Sequence, residues 1–330
     1  MTLYLHIGLH KTGTSSLQNF LIRNKEALAA AGYLWPRAGS TGGGHHNLGY
    51  ELLGKPRFAP AAGGLAALAA ELEGARNAIV SSEELEFLEL AQVRRLREGL
   101  GDRRVRVLIY LRRQDELIAS TYAQQVRMGS ALGTFEEYAL ASLYNPRFDF
   151  TQLLARWGHV FGRESLNVAV VCGETTGERL FADFLARVGL ADYAEAFGKP
   201  PRSLNVTPGA NEVELIRRAA RLLRKGGRPL DTELLKRVQQ AAAERVAREP
   251  DLQTDKLTLD EAMLARAAGR FGAGNHKVAA DYVASRAQRA ALAFEDDPIA
   301  GGRLARGPRL AHIAEEIAAA LRQPAEAAHG

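Results

Sequence analysis

The first sixteen residues constrain this chain more than any other stretch. Leu3-Tyr4-Leu5-His6-Ile7 is a short, apolar, β-rich run that stops at Gly8. From Ser15 to Ala31 the pattern turns helical, with Leu17, Phe20, Leu21, Asn24 and Leu28 at helical spacing and Gly32 as the stop. A buried strand that opens through a short loop into a helix is the first unit of a sheet with crossover helices. Its loop gathers free backbone N–H groups at the positive end of a helix dipole, where anions bind. Within His6-Ile7-Gly8-Leu9-His10-Lys11-Thr12-Gly13-Thr14-Ser15-Ser16, Lys11 adds a full positive charge and Gly13 permits an unusual backbone conformation. Thr12, Thr14, Ser15 and Ser16 add hydroxyls.

Three further junctions repeat the pattern. Ala78-Ile79-Val80-Ser81 predicts a strand followed by a helix over Glu83 to Leu90, and Arg104 to Leu111 a strand followed by a helix over Gln114 to Met128. Leu166 to Val171 predicts a strand, with Phe181, Phe184, Leu185 and Val188 marking the next helix. Alternating strands and helices predict a P-loop-like three-layer α/β fold, a mostly parallel central sheet flanked by helices, with sites at the carboxyl ends of the strands. The run Gly39 to Asn47 holds four glycines and predicts a mobile surface loop. Beyond Pro208 the patterns are helical only, near residues 211–224, 232–248, 259–268, 275–291 and 308–321. The organisation expected is an α/β core over 1–205 with Leu204 to Pro208 as linker, a helical region over 206–322 packed on the core or lidding it, and a frayed tail over 323–330. Between two of these helices, Arg270 to Lys277 predicts a basic glycine turn with Asn275 as a cap.

Composition narrows the partners. Lys and Arg number 43 against 38 Asp and Glu, a mild excess spread along the chain that fits a small anionic ligand or glycan and not a dedicated nucleic-acid binder. Cys172 is the only cysteine, which excludes an intrachain disulfide and a cysteine-built zinc site and points to a reducing, cytoplasmic setting. The apolar run Leu3 to Leu9 is too short for a signal h-region or a membrane span.

The order of residues in the loop separates two kinds of phosphate site. In the ATP-type pattern G-x-x-x-x-G-K-[ST] the Lys follows the second Gly, whereas here Lys11 precedes Gly13 by two positions. The order Lys-Thr-Gly-Thr-Ser-Ser instead resembles the 5′-phosphosulfate loop of the sulfotransferases that use 3′-phosphoadenosine 5′-phosphosulfate (PAPS), and the string HIGLHKTGTSSLQ is similar to their bacterial branch. The resemblance implies that Lys11 contacts the 5′-phosphate and the oxygen bridging to sulfur, and that Thr12, Gly13, Thr14, Ser15 and Ser16 wrap the 5′-phosphate. It also implies a 3′-phosphate anchor made of an Arg at a strand end and a Ser eight positions on; Arg112 after the 104–111 strand and Ser120 meet that spacing. PAPS would serve as co-substrate without a metal, the product being 3′-phosphoadenosine 5′-phosphate (PAP).

Transfer to a hydroxyl needs a base at the end of a strand beside the loop. Ser81-Ser82-Glu83-Glu84 supplies Glu83 first and Glu84 second, and His46 in the glycine loop is the alternative. His10, His45 and Glu84 are candidates for the acceptor side. The acceptor would be a glycan, a glycolipid or a small hydroxylated metabolite. Two other readings remain open: a nucleotide-dependent phosphotransferase, and a silent nucleotide- or glycan-binding protein.

Overall fold

A computed structural model of the chain describes residues 1–198, 208–295 and 308–322. Strand β1 (Thr2–His6) leads into α1 (Thr14–Arg23) and α2 (Lys25–Ala30), followed by β2 (Tyr33–Leu34), α3 (His46–Leu52), α4 (Leu65–Glu71) and β3 (Asn77–Ser81). Next come α5 (Leu90–Leu100), β4 (Arg104–Leu111), α6 (Gln114–Arg127), α7 (Phe135–Ser142), α8 (Phe150–Phe161), β5 (Leu166–Val170) and α9 (Glu178–Arg187). The later elements are helices: α10 (Ala210–Lys225), α11 (Thr232–Arg248), α12 (Glu261–Tyr282), α13 (Arg286–Leu292) and α14 (Pro308–Arg322). Over their described residues these elements fall into two compact units. The first comprises Met1–Arg113, Pro146–Leu204 and Phe271–Asp296, and the second Gln114–Asn145, Asn205–Arg270 and Asp297–Gly330.

The first unit holds a five-stranded sheet in the order β2-β3-β1-β4-β5, every pairing parallel. β1 lies at its centre, with Tyr4 opposite Ile79 on one side and Arg106 on the other. Because a central parallel strand is covered on both faces, it is mostly apolar: Leu3 and Leu5 are buried, as are Ile7 just beyond it and the one polar exception, His6. Leu17, Phe20 and Leu21 of α1 and Leu180, Phe181 and Phe184 of α9 form one core with Leu108 and Tyr110. α8 packs on β4 and β5, with α5 against α8. The chain goes from β1 to one side of the sheet and returns to build the other, so the loop after β1 emerges where a doubly wound sheet opens a crevice. In the second unit α10 packs against α6, α11 and α14, and Arg217 pairs with Glu214 in its interior.

Several sequence expectations are corrected. The helix expected over Ser15 to Ala31 is two helices broken at Asn24, whose side chain donates to the Phe20 carbonyl. Glu83–Phe87 forms a 3₁₀ turn and not the start of a long helix, and the α-helix begins at Leu90. The segment from Arg270 to Lys277 is no glycine turn: it lies inside the continuous helix α12, and Asn275 donates to the Leu292 carbonyl instead of capping. The Gly39 to Asn47 run is packed, with Gly44, His45 and Asn47 buried and α3 starting at His46. Of the expected linker only Pro208 is among the described residues, and the 323–330 tail lies outside them.

Two buried histidines tie these pieces together. His6 Nδ1 lies 2.8 Å from Ser81 Oγ, joining β1 to β3. His45 fastens the glycine run to the end of β3: its Nδ1 accepts from the Ser81 amide at 3.1 Å, and its Nε2 donates to the Pro36 carbonyl at 2.9 Å. Burial pushes His6 down to about 3 and His45 down to about 4, so both rings are neutral at pH 7. The unfolded chain takes up protons on both below about pH 6.5 while the folded chain does not, so stability falls with pH across this window. Denaturant unfolding at pH 5 should therefore give a stability about 4 kcal/mol lower than at pH 7.5. A flat profile over that range would show that these rings titrate freely.

Candidate active site

The loop after β1 is held from several directions. The Ile7 amide donates to the Leu108 carbonyl at 3.1 Å, extending the β1–β4 pairing by one residue. Beyond it the chain turns at Gly8 (φ 62°), where a Cβ would sit 3.1 Å from Glu83 Cβ, so the loop runs directly against the turn that follows β3. Lys11 has φ 71°, a left-handed conformation that costs a side-chain-bearing residue about 1–2 kcal/mol. Arg112, at the end of β4, donates to the Lys11 carbonyl at 3.0 Å and anchors that residue's backbone. Gly13 (φ 88°) precedes α1, and no side chain caps the helix. Its first-turn amides, at Thr14, Ser15 and Ser16, therefore form a donor cluster at the positive end of the dipole.

The loop hydroxyls divide into two sets. Thr12 and Thr14 are buried and donate to the Leu9 carbonyl at 2.7 and 3.1 Å, bracing the loop from inside. Ser15 is exposed and Ser16 half-buried, so the outward hydroxyls are the serines. Lys11 is exposed.

Sequence reasoning missed the group that holds the loop's first half. Glu86 is buried, accepts from the His10 amide at 2.9 Å and from His10 Nδ1 at 3.0 Å, and pairs with Arg147 at 2.7 Å. Burial alone would raise its carboxyl, but the His10 bonds and the Arg147 charge overcome it and hold the group below the usual carboxylate range. His10 is thus fixed immediately before Lys11. Its ring also lies 5.3 Å from that of Phe87, over which Arg147 and Lys55 stand at 5.0 and 5.1 Å.

The two rival bases are neighbours. His46 Nδ1 lies 3.7 Å from Glu83 Oε2 and 3.2 Å from Ser82 Oγ, and both side chains are about six-sevenths buried. Glu83 Oε2 also accepts from Gln18 Nε2 at 2.9 Å. Glu84 is ion-paired with Lys55 at 2.6 Å, and His45 has both ring nitrogens bound to backbone, which makes it a scaffold residue. Arg113 is buried with its guanidinium 5.3 Å from the Phe294 ring. Ser120 belongs to the second unit, two turns into α6, and donates to the Leu117 carbonyl of its own helix. Gln18 could have been noticed as a polar residue beside Leu17 on the buried stripe of α1. Glu86, one of four glutamates between Glu83 and Glu89, carries no such mark.

Among the described residues no group of three or more His, Cys, Asp or Glu is placed to hold a metal, and no helix is long and apolar enough to cross a membrane. No family model matches the chain, and no curated protein matches its sequence. Among solved structures, a sulfotransferase from Alicyclobacillus acidocaldarius is similar at 19% identity and a TM-score of 0.41, over 69% of this chain and 96% of that one.

Glu86→Ala should lower unfolding free energy by about 1–3 kcal/mol, because the His10 amide loses its acceptor in a buried setting. Urea unfolding measures this; an unchanged midpoint would show that the loop does not depend on Glu86.

Proposed function

We propose that this chain transfers a sulfuryl group from PAPS to an acceptor hydroxyl by in-line displacement. One observation carries the reading: a loop with Lys ahead of its Gly lies at the carboxyl end of the central strand, directly against a Glu–His pair at the end of the neighbouring strand. The cradle fits an anion, since the uncapped start of α1 and the backbone turns at Lys11 and Gly13 present amides and a cation together.

In this reading the amides of Gly13 to Ser16 and the hydroxyls of Ser15 and Ser16 hold the 5′-phosphate. Lys11 stands at the oxygen bridging phosphorus and sulfur and stabilises the charge that grows there as the S–O bond breaks. Glu83 takes the proton of the acceptor hydroxyl while its oxygen bonds to sulfur, and His46 stands beside it. The displaced electron pair leaves on the phosphate, giving PAP. On the sequence spacing, Arg112 and Ser120 are assigned to the 3′-phosphate. The acceptor is read as a glycan, a glycolipid or a small hydroxylated metabolite.

Calorimetry tests the nucleotide. The chain should bind PAP and prefer it to ATP with magnesium; the reverse preference would favour a phosphotransferase, and neither would remove the nucleotide reading. Lys11→Ala should lower kcat by about 10²–10³-fold in a radiolabelled sulfuryl-transfer assay, and near-normal turnover would take Lys11 out of the chemistry. Arg112→Ala should weaken PAP binding by about 10- to 100-fold; unchanged affinity would sink the anchor assignment.

A further inference from the structure

We propose that Gln18 is a positioning residue for Glu83, an assignment that rests on the reading of Glu83 as the base. Gln18 lies on α1, one turn after the loop, and the residue is 2% exposed. A polar side chain so deeply buried must spend its hydrogen bonds on something definite. Its Nε2 donates to Glu83 Oε2 at 2.9 Å and to Ser81 Oγ at 3.2 Å, using both amide hydrogens on the end of β3.

The orientation of the amide follows from its partners. A carboxylate oxygen accepts and cannot donate, so the nitrogen of Gln18, not its carbonyl oxygen, faces Glu83. Ser81 Oγ accepts from Gln18 and lies 2.8 Å from Nδ1 of the buried His6. His6, Ser81, Gln18 and Glu83 thus form one hydrogen-bonded network from the middle of the sheet to the site, with Gln18 donating to both Ser81 and Glu83.

Glu83 Oε2 accepts from Gln18 and has His46 Nδ1 3.7 Å away, so the proposal gives the acceptor proton to Oε1. The glycine run closes over this arrangement. A Cβ on Gly44 would lie 2.7 Å from Gln18 Nε2 and 2.8 Å from His46 Cε1. The atoms it would displace are the ends of side chains, so Gly44→Ala should fold and move the Gln18 amide.

The test is a double-mutant cycle on the full-length protein, with kcat, the PAPS KM and the PAP dissociation constant measured for each variant. Gln18→Leu should lower kcat by about 10- to 100-fold with KM and PAP affinity within about threefold of the parent. In a Glu83→Gln background the same change should cost almost nothing further, because the residue acts through Glu83. Gly44→Ala should lower kcat in the same way with PAP affinity kept. A kcat for Gln18→Leu near the parent value, losses that multiply with Glu83→Gln, or a parallel loss of PAP affinity would each overturn the role of Gln18 and leave the proposed function standing. If the parent protein neither binds PAP nor transfers sulfuryl groups, the proposed function is refuted and the assignment of Gln18 with it.

Discussion

Everything at the site depends on β1 being hydrogen-bonded on both sides. Pairing with β3 sets Ser81 opposite His6, and pairing with β4 sets Leu108 opposite the same residue. A strand locked between two others cannot slip in register without turning its buried side chains to the wrong face. The loop beyond β1 therefore starts from a fixed point, with Glu83 beyond one neighbour and Arg112 at the end of the other. The chain beyond those two neighbours supplies opposite kinds of group: the Glu83 carboxylate after β3, joined there by His46 from α3, and after β4 the Arg112 guanidinium that grips the Lys11 backbone. The loop after β1 and the Glu83 carboxylate after β3 are thereby set side by side by the order of the strands.

Behind the loop lies a polar layer of the kind that protein interiors accommodate only when its members are bonded. Thr12 and Thr14 return to Leu9, Glu86 binds His10, and Gln18 bridges Ser81 and Glu83. The Thr12, Thr14 and Glu86 bonds hold the chain on either side of the left-handed Lys11, whose own carbonyl accepts from Arg112. Local backbone strain persists where the surroundings over-determine it, and here bonds from β4 and from the turn after β3 hold the loop.

Much of the fold was legible in the sequence, because period-2 and period-3.6 apolar patterns follow directly from burial. Arg104–Leu111 is a strand over the whole predicted span, and α10, α11 and α14 fall within a residue or two of expectation. The failures share a cause: tertiary contacts overrode local signals. Glycines at 272 and 274 suggested a turn, yet a helix accommodates Gly at roughly 1 kcal/mol each when its other residues pack, as Phe271 and Asn275 do. The glycine run at 39–44 looked like a free loop, but small residues there allow the chain to press onto Gln18 and β3. Of the candidate site, Lys11, Glu83, His46 and Arg112 were nameable from residue type and spacing. The bracing roles of Glu86 and Gln18 were not, since hydrogen bonds between residues more than sixty positions apart leave no trace in local pattern.

The central claim is that one loop holds the 5′-phosphate of a 3′-phosphorylated nucleotide while the group at the end of β3 faces the position of the sulfur. A crystal structure with PAP bound tests it most directly. The 5′-phosphate should lie within hydrogen-bonding distance of the Gly13 to Ser16 amides and of Lys11 Nζ, with the Glu83 carboxylate on the open side of that phosphate. A nucleotide bound elsewhere on the chain, or a 5′-phosphate turned away from Glu83 and His46, would contradict it.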